Sequence, residues 1–295
     1  MTGTVAASSL RPLARPQRAN PFLKWAGGKR QLLAAYEPYF PREYERYFEP
    51  FLGSGAVFFR LTPKAAILSD VVDEVIATYG VVRDDVEDLI DALASHVNEK
   101  QHFARVRSLD PWKLTAVERA TRFIYLNRTC YNGLFRVNRS GQFNVPFGFY
   151  KNPAICDTAR LRAASAALQG ADLRCADFEE ILDSAKAGDF VYLDPPYIPL
   201  SSTANFTAYS RQGFDEVEQK RLAAVFRRLN FRGCLLMLSN SDTEVVRRLY
   251  GGFRVVSVQA RRAINSKADR RGPIPELLVM NYVPPGCAWP ERLPI

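Results

Sequence analysis

Residues 46–61 read Arg46-Tyr47-Phe48-Glu49-Pro50-Phe51-Leu52-Gly53-Ser54-Gly55-Ala56-Val57-Phe58-Phe59-Arg60-Leu61. Residues 46–49 are a short strand candidate. Pro50 and the two glycines then make a turn, and 56–61 read as the helix that follows. Gly53 and Gly55 can take backbone angles closed to other residues and let a ligand approach the chain. Residues 65–68 are a second short apolar run, ending in Ser69-Asp70. Strand, glycine turn, helix, and a strand with an acid at its end are the opening of an α/β nucleotide fold, in which such a carboxylate commonly accepts ribose hydroxyls. The dinucleotide fingerprint is incomplete, because Phe58 stands where its third glycine would be. An ordinary turn beside a surface Asp70 is the plain alternative.

Working outward, residues 73–127 are helical in pattern, with a distinct helix at 119–127 and a solvated acidic face over 84–91. From 128 to 156 the composition shifts to Asn, Gly, Arg and aromatics, and Gly141 sits between two short extended stretches, as in a hairpin or irregular loop. Strand signals resume at 171–175, 190–193 and 234–238, with helices at 215–229 and 243–250. Late strands at 253–258 and 277–282 are expected as antiparallel neighbours. Sheet-forming material thus flanks a helical, basic insertion. The expected organisation is a flexible arm at 1–20, an α/β domain built from 21–80 and 165–283, an inserted domain at 81–164, and a tail at 284–295.

Composition narrows the classes. The 295 residues carry 40 Lys plus Arg against 31 Asp plus Glu, a formal charge of +9. At 47% hydrophobic and 24% charged residues the chain is neither disordered nor a coiled coil. No apolar run has the length of a membrane span, so no membrane partner is expected. Five scattered Cys argue against a disulfide scaffold and fit a reducing, cytoplasmic compartment. With His96 and His102 as the two histidines and no close Cys pair, no metal site is expected. The first twenty residues lack the apolar core of a secretory leader. A polyanionic partner is one use for the surplus charge.

The sharpest chemical signal is Asp194-Pro195-Pro196-Tyr197, directly after the strand at 190–193. Two prolines cannot continue a central strand, so they form a rigid turn at the carboxyl edge of the sheet, where α/β proteins bind ligands. For a planar base bearing an amine, the Asp194 carboxylate can accept one N–H and the Pro195 carbonyl the other, while Tyr197 stacks on the ring. Two such acceptors aim the amine lone pair at an incoming electrophile. A proline-terminated strand with a capping Asp is the bland reading.

Three blocks carry a resemblance: Phe22-Leu23-Lys24-Trp25-Ala26-Gly27-Gly28-Lys29, Phe48-Glu49-Pro50-Phe51-Leu52-Gly53-Ser54-Gly55 and Asp194-Pro195-Pro196-Tyr197. In content and order the chain resembles bacterial DNA adenine N6-methyltransferases of the Dam type, over most of 21–283. The resemblance implies a Rossmann-like methyltransferase sheet with an inserted, mainly helical target-recognition domain. It implies S-adenosyl-L-methionine as methyl donor, S-adenosyl-L-homocysteine as product and double-stranded DNA as partner. It further implies a monomer near the nucleoid, with or without a cognate restriction endonuclease that forms no stable complex with it. Trp25, Lys29, Phe51, Gly53, Gly55, Asp70, Asp177, Phe178 and Asp194 are then the cofactor residues. Without the resemblance, Trp25 and Phe178 read as core, Lys29 as a solvated charge, Phe51 as either core or ring contact, and Asp177 as a helix cap.

Residues 119–156 contain six basic side chains, no Asp or Glu, and interleaved aromatics, a composition suited to tracking a nucleic-acid backbone. By resemblance, Tyr131 and Asn132 occupy the gap left by a flipped adenine, Leu134, Arg136 and Pro146 read neighbouring base pairs, Tyr150 assists, and Lys24 is a base or phosphate contact. The fork of Arg136 matches guanine O6 and N7, and 5'-GATC-3' is the implied site. Arg122 and Arg139 read as phosphate contacts. A second basic cluster, Arg261, Arg262, Lys267 and Arg270, resembles the family's C-terminal block and is expected on phosphates. Flipping the base is required because a paired adenine cannot present N6. Cytosine N4 methylation would use nearly the same chemistry, and a catalytically inactive DNA-binding relative is the alternative from another class. The hairpin and the tetrapeptide favour adenine. A nicotinamide dehydrogenase would want the missing glycine and a catalytic His.

Overall fold

The computed structural model describes residues 18–197, 214–260 and 274–286. Residues 1–17 of the arm expected at 1–20, the basic residues Arg261, Arg262, Lys267 and Arg270, and the part of the tail beyond 286 lie outside the described residues. Among the described residues, strands β1 (Tyr47–Glu49), β2 (Ala66–Asp70), β3 (Ala171–Cys175), β4 (Phe190–Leu193), β5 (Leu235–Ser241), β6 (Arg254–Ala260) and β7 (Ile274–Met280) form one sheet. Its order is β3-β2-β1-β4-β5-β7-β6. The first five are parallel, and β7 runs antiparallel to both β5 and β6. The chain leaves β1 toward β2 on one side and later returns to β4 on the other. The carboxyl ends of β1 and β4 therefore flank a topological switch point, the place where such sheets bind ligands.

Strand side chains alternate between two faces. Tyr47, Leu68, Phe190, Tyr192 and Met237 join the core under α1 (Leu33–Tyr36), α2 (Ala56–Leu61) and α3 (Asp73–Asp84). Phe48, Ile67, Val191, Leu193, Leu236 and Leu238 join the core under α8 (Phe178–Leu182), α9 (Glu216–Phe231) and α10 (Glu244–Leu249). With both faces covered, the strands are apolar on both sides, which is why 190–193 reads as a continuous hydrophobic run. Local signals start the helices. Asp177 accepts from the Glu179 amide, Asp215 from the Val217 and Glu218 amides, and Thr243 from the Val246 amide, each supplying an N-terminal cap.

Between β2 and β3 the chain builds α3, α4 (Val86–Ala94), α5 (Lys100–Ser108), α6 (Ala116–Thr129), a hairpin, and α7 (Thr158–Leu168). A reciprocal capping box between Thr115 and Glu118 opens α6. Ten of its residues are buried, so α6 is the spine of the segment. The hairpin is pinned by bridges Cys130 with Phe147 and Val137 with Phe143. Its turn closes on the Asn138 carboxamide, which accepts from the Ser140 and Gln142 amides. Phe103, Phe123, Phe135 and Phe143 share one continuous core with Phe22, Phe59 and Tyr79, so this segment packs onto the sheet face through its own apolar surface. Among the described residues, no helix is long and apolar enough to cross a membrane.

Candidate active site

The switch point carries the glycine turn. Gly53 has φ +46° and Gly55 φ +62°, both left-handed. A Cβ on Gly53 would lie 2.5 Å from Trp25 Cδ1, so only glycine lets the indole close against the turn. The Gly53 amide donates to Asp70 Oδ2 at 2.9 Å and the Val72 amide to Oδ1 at 3.0 Å. Asp70 is therefore a brace between β2 and the turn as well as a wall of the cleft, and burial raises its pKa. Glu49, at the end of β1, is buried, accepting from the Tyr47 hydroxyl at 2.8 Å and the Phe58 amide at 3.1 Å. Burial pushes its carboxyl up to about 8.

Asp194 follows β4 directly. Its Oδ1 receives the Lys29 ammonium at 2.8 Å and the Ser239 hydroxyl at 2.8 Å. Lys29 is 3% exposed, donates also to the Gly27 carbonyl at 2.6 Å, and lies 4.6 Å from the Tyr197 ring centroid. Burial raises the Asp194 pKa, and the Lys29 charge offsets part of that. Among the described residues, Asp194 Oδ2 takes no hydrogen bond, so an acceptor is left over at the cleft. The rest of the turn is anchored too. The Pro196 carbonyl accepts from Gln219 Nε2 at 3.0 Å, and Gln219 Oε1 accepts from Asn240 Nδ2 at 3.1 Å. The Tyr197 hydroxyl donates to Glu276 Oε2 at 2.8 Å, and Tyr36 donates to the same oxygen at 2.8 Å.

The glycine turn and the Asp194 turn line a cleft of about 630 Å³, a size usual for cofactor sites, with Ser239, Gln219, Asn240, Tyr36 and Glu276 behind its wall. All four tetrapeptide residues reach it, as do Trp25, Lys29, Phe51, Gly53, Asp70, Asp177 and Phe178. Gly55 does not line it; its turn packs against the Tyr79 hydroxyl behind the wall. Phe51, Phe178 and Phe214 form a ring cluster, with Phe51 at 5.4 Å from Phe178 and 5.7 Å from Phe214. Asp177 caps α8 and pairs through both oxygens with Arg221, at 2.8 and 2.7 Å. The cleft holds six acids, Glu49, Asp70, Asp177, Asp194, Asp215 and Glu218, against two bases, Lys29 and Arg221. With Glu49 protonated, five acids still face two bases, a surplus that suits a cationic ligand with an apolar ring and opposes a phosphate-rich dinucleotide.

Beside the cleft, Asn127 ties the recognition segment to the first block. Its Oδ1 accepts from the Lys24 amide at 2.8 Å, while its Nδ2 donates to the Lys24 carbonyl at 2.7 Å and the Gly133 carbonyl at 3.1 Å. Lys24 Nζ lies 4.1 Å from the Tyr150 ring centroid, so these two expected DNA residues meet. Burial, then the Arg128 charge, lowers the Lys24 pKa. Tyr131 is 53% exposed. Asn132, Arg136, Arg139 and Pro146 are exposed, and Leu134 is half-buried. Arg136 is steadied by Asn144 Oδ1 at 2.7 Å from its Nε.

Besides Gly55, one further expectation is corrected. Arg122, read as a phosphate contact, is 3% exposed. Its guanidinium pairs with Glu74 at 3.1 Å and donates to the Val106 and Arg107 carbonyls, each at 3.2 Å. Neighbouring basic residues on α6 behave alike: Arg119 pairs with Asp73, and Arg128 donates to the Phe22 carbonyl. Sequence reading also missed Glu49, Tyr36, Gln219 and Arg221; it marked Ser239, at a strand end, as a support for the base pocket and Glu276 as part of the family's C-terminal block, but not their partners Asp194 and Tyr197. Glu49 lay inside a quoted motif, and its flanking by Tyr47 and Pro50 was the available signal.

Comparison with known proteins agrees with this geometry. A family model for D12 class N6 adenine-specific DNA methyltransferases matches residues 25–264. A type II methyltransferase of Lactococcus lactis subsp. cremoris is 43% identical over 270 residues, covering 89% of this chain and 95% of the relative. A type II methyltransferase of Methanocaldococcus jannaschii is 43% identical over 285 residues, covering 89% and 99%. The DNA adenine methylase of Escherichia coli K12 is 36% identical over 280 residues, covering 92% and 98%.

Proposed function

The chain belongs to the D12 class of N6 adenine-specific DNA methyltransferases, and from that premise we propose that it methylates a flipped adenine of double-stranded DNA at the Asp194 turn, in the sequence GATC. Family membership makes S-adenosylmethionine the methyl donor. When bound, it supplies an activated sulfonium methyl group. The fit of the cleft supports this. Its acid surplus complements a sulfonium, the Phe51, Phe178 and Phe214 rings can take an adenosyl base, and the glycine turn permits close approach.

The observation that carries the reading is the Lys29–Asp194–Ser239 arrangement beside the cleft. Lys29 and Ser239 both engage Oδ1, which fixes the carboxylate and leaves Oδ2 to accept one N6 hydrogen. The Pro195 carbonyl accepts the other, and the Tyr197 ring receives the face of the base. Both acceptors draw the N6 lone pair out of conjugation and stabilise positive charge growing on nitrogen as the N–C bond forms and the methyl–sulfur bond breaks; the surplus N6 proton then passes to solvent. The Lys29 charge favours ionised Asp194 despite burial. Asp194 therefore orients and stabilises; it need not be a strong base. Unstacking the adenine costs a few kcal/mol. Tyr131 and Asn132, exposed on the hairpin, compensate the vacated position, while Leu134, Arg136 and Pro146 read neighbouring base pairs, Arg136 as the candidate guanine reader.

The test is methyl transfer from labelled donor to defined duplexes, followed by mapping of the modified base. N6-methyladenine in GATC duplexes is the expected product. N4-methylcytosine would overturn the adenine assignment, and methylated adenine only outside GATC would overturn the hairpin reading.

A further inference from the structure

The catalytic turn is anchored at both ends by neighbouring strands. Strand β5 reaches Asp194 through Ser239. Strand β7, paired antiparallel with β5, reaches Tyr197 through Glu276. A phenol ring has two free side-chain torsions, and a hydroxyl tied at one end removes both. Glu276 Oε2 takes this bond at 2.8 Å together with an equal bond from Tyr36 of α1. Tyr197 then lies with its ring 4.6 Å from the Lys29 ammonium, against the ion pair that holds Asp194. Burial raises the pKa of both phenols well above the ordinary tyrosine value, so each stays a donor at working pH.

We infer that Glu276 is a positioning residue for methyl transfer: it clamps the Tyr197 hydroxyl, with Tyr36 as second donor, and so holds the ring that receives the target adenine. The inference rests on the proposed reading of the Asp194 turn as the adenine site. Glu276 does not line the cleft. It acts on the chemical step through Tyr197, by preserving the alignment of N6 with the methyl group. Hydrogen bonds to a charged acceptor are the strong ones, and a misplaced reacting group slows chemistry more than it weakens binding.

The test is a double-mutant cycle on the full-length enzyme with a hemimethylated GATC duplex, read as single-turnover rate, donor Kd and duplex Kd. Glu276→Ala and Tyr197→Phe break the same contact. Each is expected to slow the single-turnover step about tenfold, the size of one lost hydrogen bond to a charged group. The double variant is expected to be no slower than either, with donor and duplex Kd within about threefold of the parent. Glu276→Gln keeps a carbonyl acceptor and is expected to recover most of the rate. Glu276→Met, which fills the space without an acceptor, replaces Glu276→Ala in the cycle if that variant does not fold. Losses that multiply in the double variant overturn the clamp, as does a parental rate for Glu276→Ala or a Glu276→Gln enzyme as slow as Ala. If the parent enzyme places no methyl on adenine in the same assay, the reading of the site fails instead. A parent that works, with an additive cycle, defeats this inference alone.

Discussion

The cleft at the switch point and the recognition hairpin beside it carry opposite charge. Six acids and two bases line the cleft. Residues 119–156 contain six basic side chains and no acid. A formal charge of +9 describes neither region. The cleft's ionisable groups are largely buried and held by partners: Lys29 by Asp194, Asp70 by the Gly53 and Val72 amides, and protonated Glu49 by Tyr47 and Phe58. The hairpin's Arg136 and Arg139 face solvent. Between them, the arginines of α6 share the hairpin's stretch of sequence but not its role, since Arg119, Arg122 and Arg128 hold the segment together. Charge sign alone does not assign a job; burial and partner do.

Several substitutions sharpen or break that contrast. The largest effect is expected from Arg122→Met, which leaves Glu74 buried without its cation and costs about 3 kcal/mol of stability. Thermal unfolding measures it. A variant of unchanged Tm that loses duplex affinity would return Arg122 to the DNA surface. Gly53→Ala places a Cβ against Trp25 at a backbone angle unsuited to alanine. Donor affinity is expected to fall roughly a hundredfold, about 2.7 kcal/mol by titration calorimetry, with duplex binding intact. Arg136→Ala should do the reverse: about 1–3 kcal/mol of discrimination against altered GATC sites is lost, with Tm and donor affinity unchanged.

Smaller effects depend on pH. Lys29 lowers the Asp194 pKa against burial, so Lys29→Met should move the acid limb of the single-turnover rate to higher pH. An unmoved limb would mean that Asp194 ionisation does not govern the rate. Glu49 is raised from 4.5 to about 8, so the folded state holds a proton that the unfolded state has released. Its contribution to stability is full below about 4.5 and is lost as pH rises to about 8. Glu49→Gln keeps an acceptor for Tyr47 and lacks this titration. Denaturant unfolding should therefore show it gaining on the parent between pH 5 and 9, roughly across that window. A constant difference would contradict the buried, protonated Glu49.

Much of the α/β frame could be read from order and periodicity. The glycine turn, the strand before Asp194 and the late antiparallel pair depend on neighbours within a few residues, and the expected 56–61 helix coincides with α2. What escaped depends on register between distant segments. Arg122 meets Glu74 48 residues upstream, and Arg128 meets Phe22 106 residues upstream, so an acid-free stretch looked solvated. Glu276 meets Tyr197 across 79 residues, and Gln219 reaches Pro196 only because α9 packs on the sheet beside β5. No local pattern marks such partners. Asp177 shows both readings at once: it caps α8 and lines the cleft.

The central claim is that the Asp194 carboxylate, fixed by Lys29 and Ser239, holds N6 for transfer. Single-turnover methylation of a GATC duplex by Asp194→Ala tests it most directly, with donor and duplex Kd measured in parallel. A loss of about 10²–10⁴-fold in the chemical step is expected, with both Kd values nearly unchanged. Normal turnover by the alanine variant would contradict it.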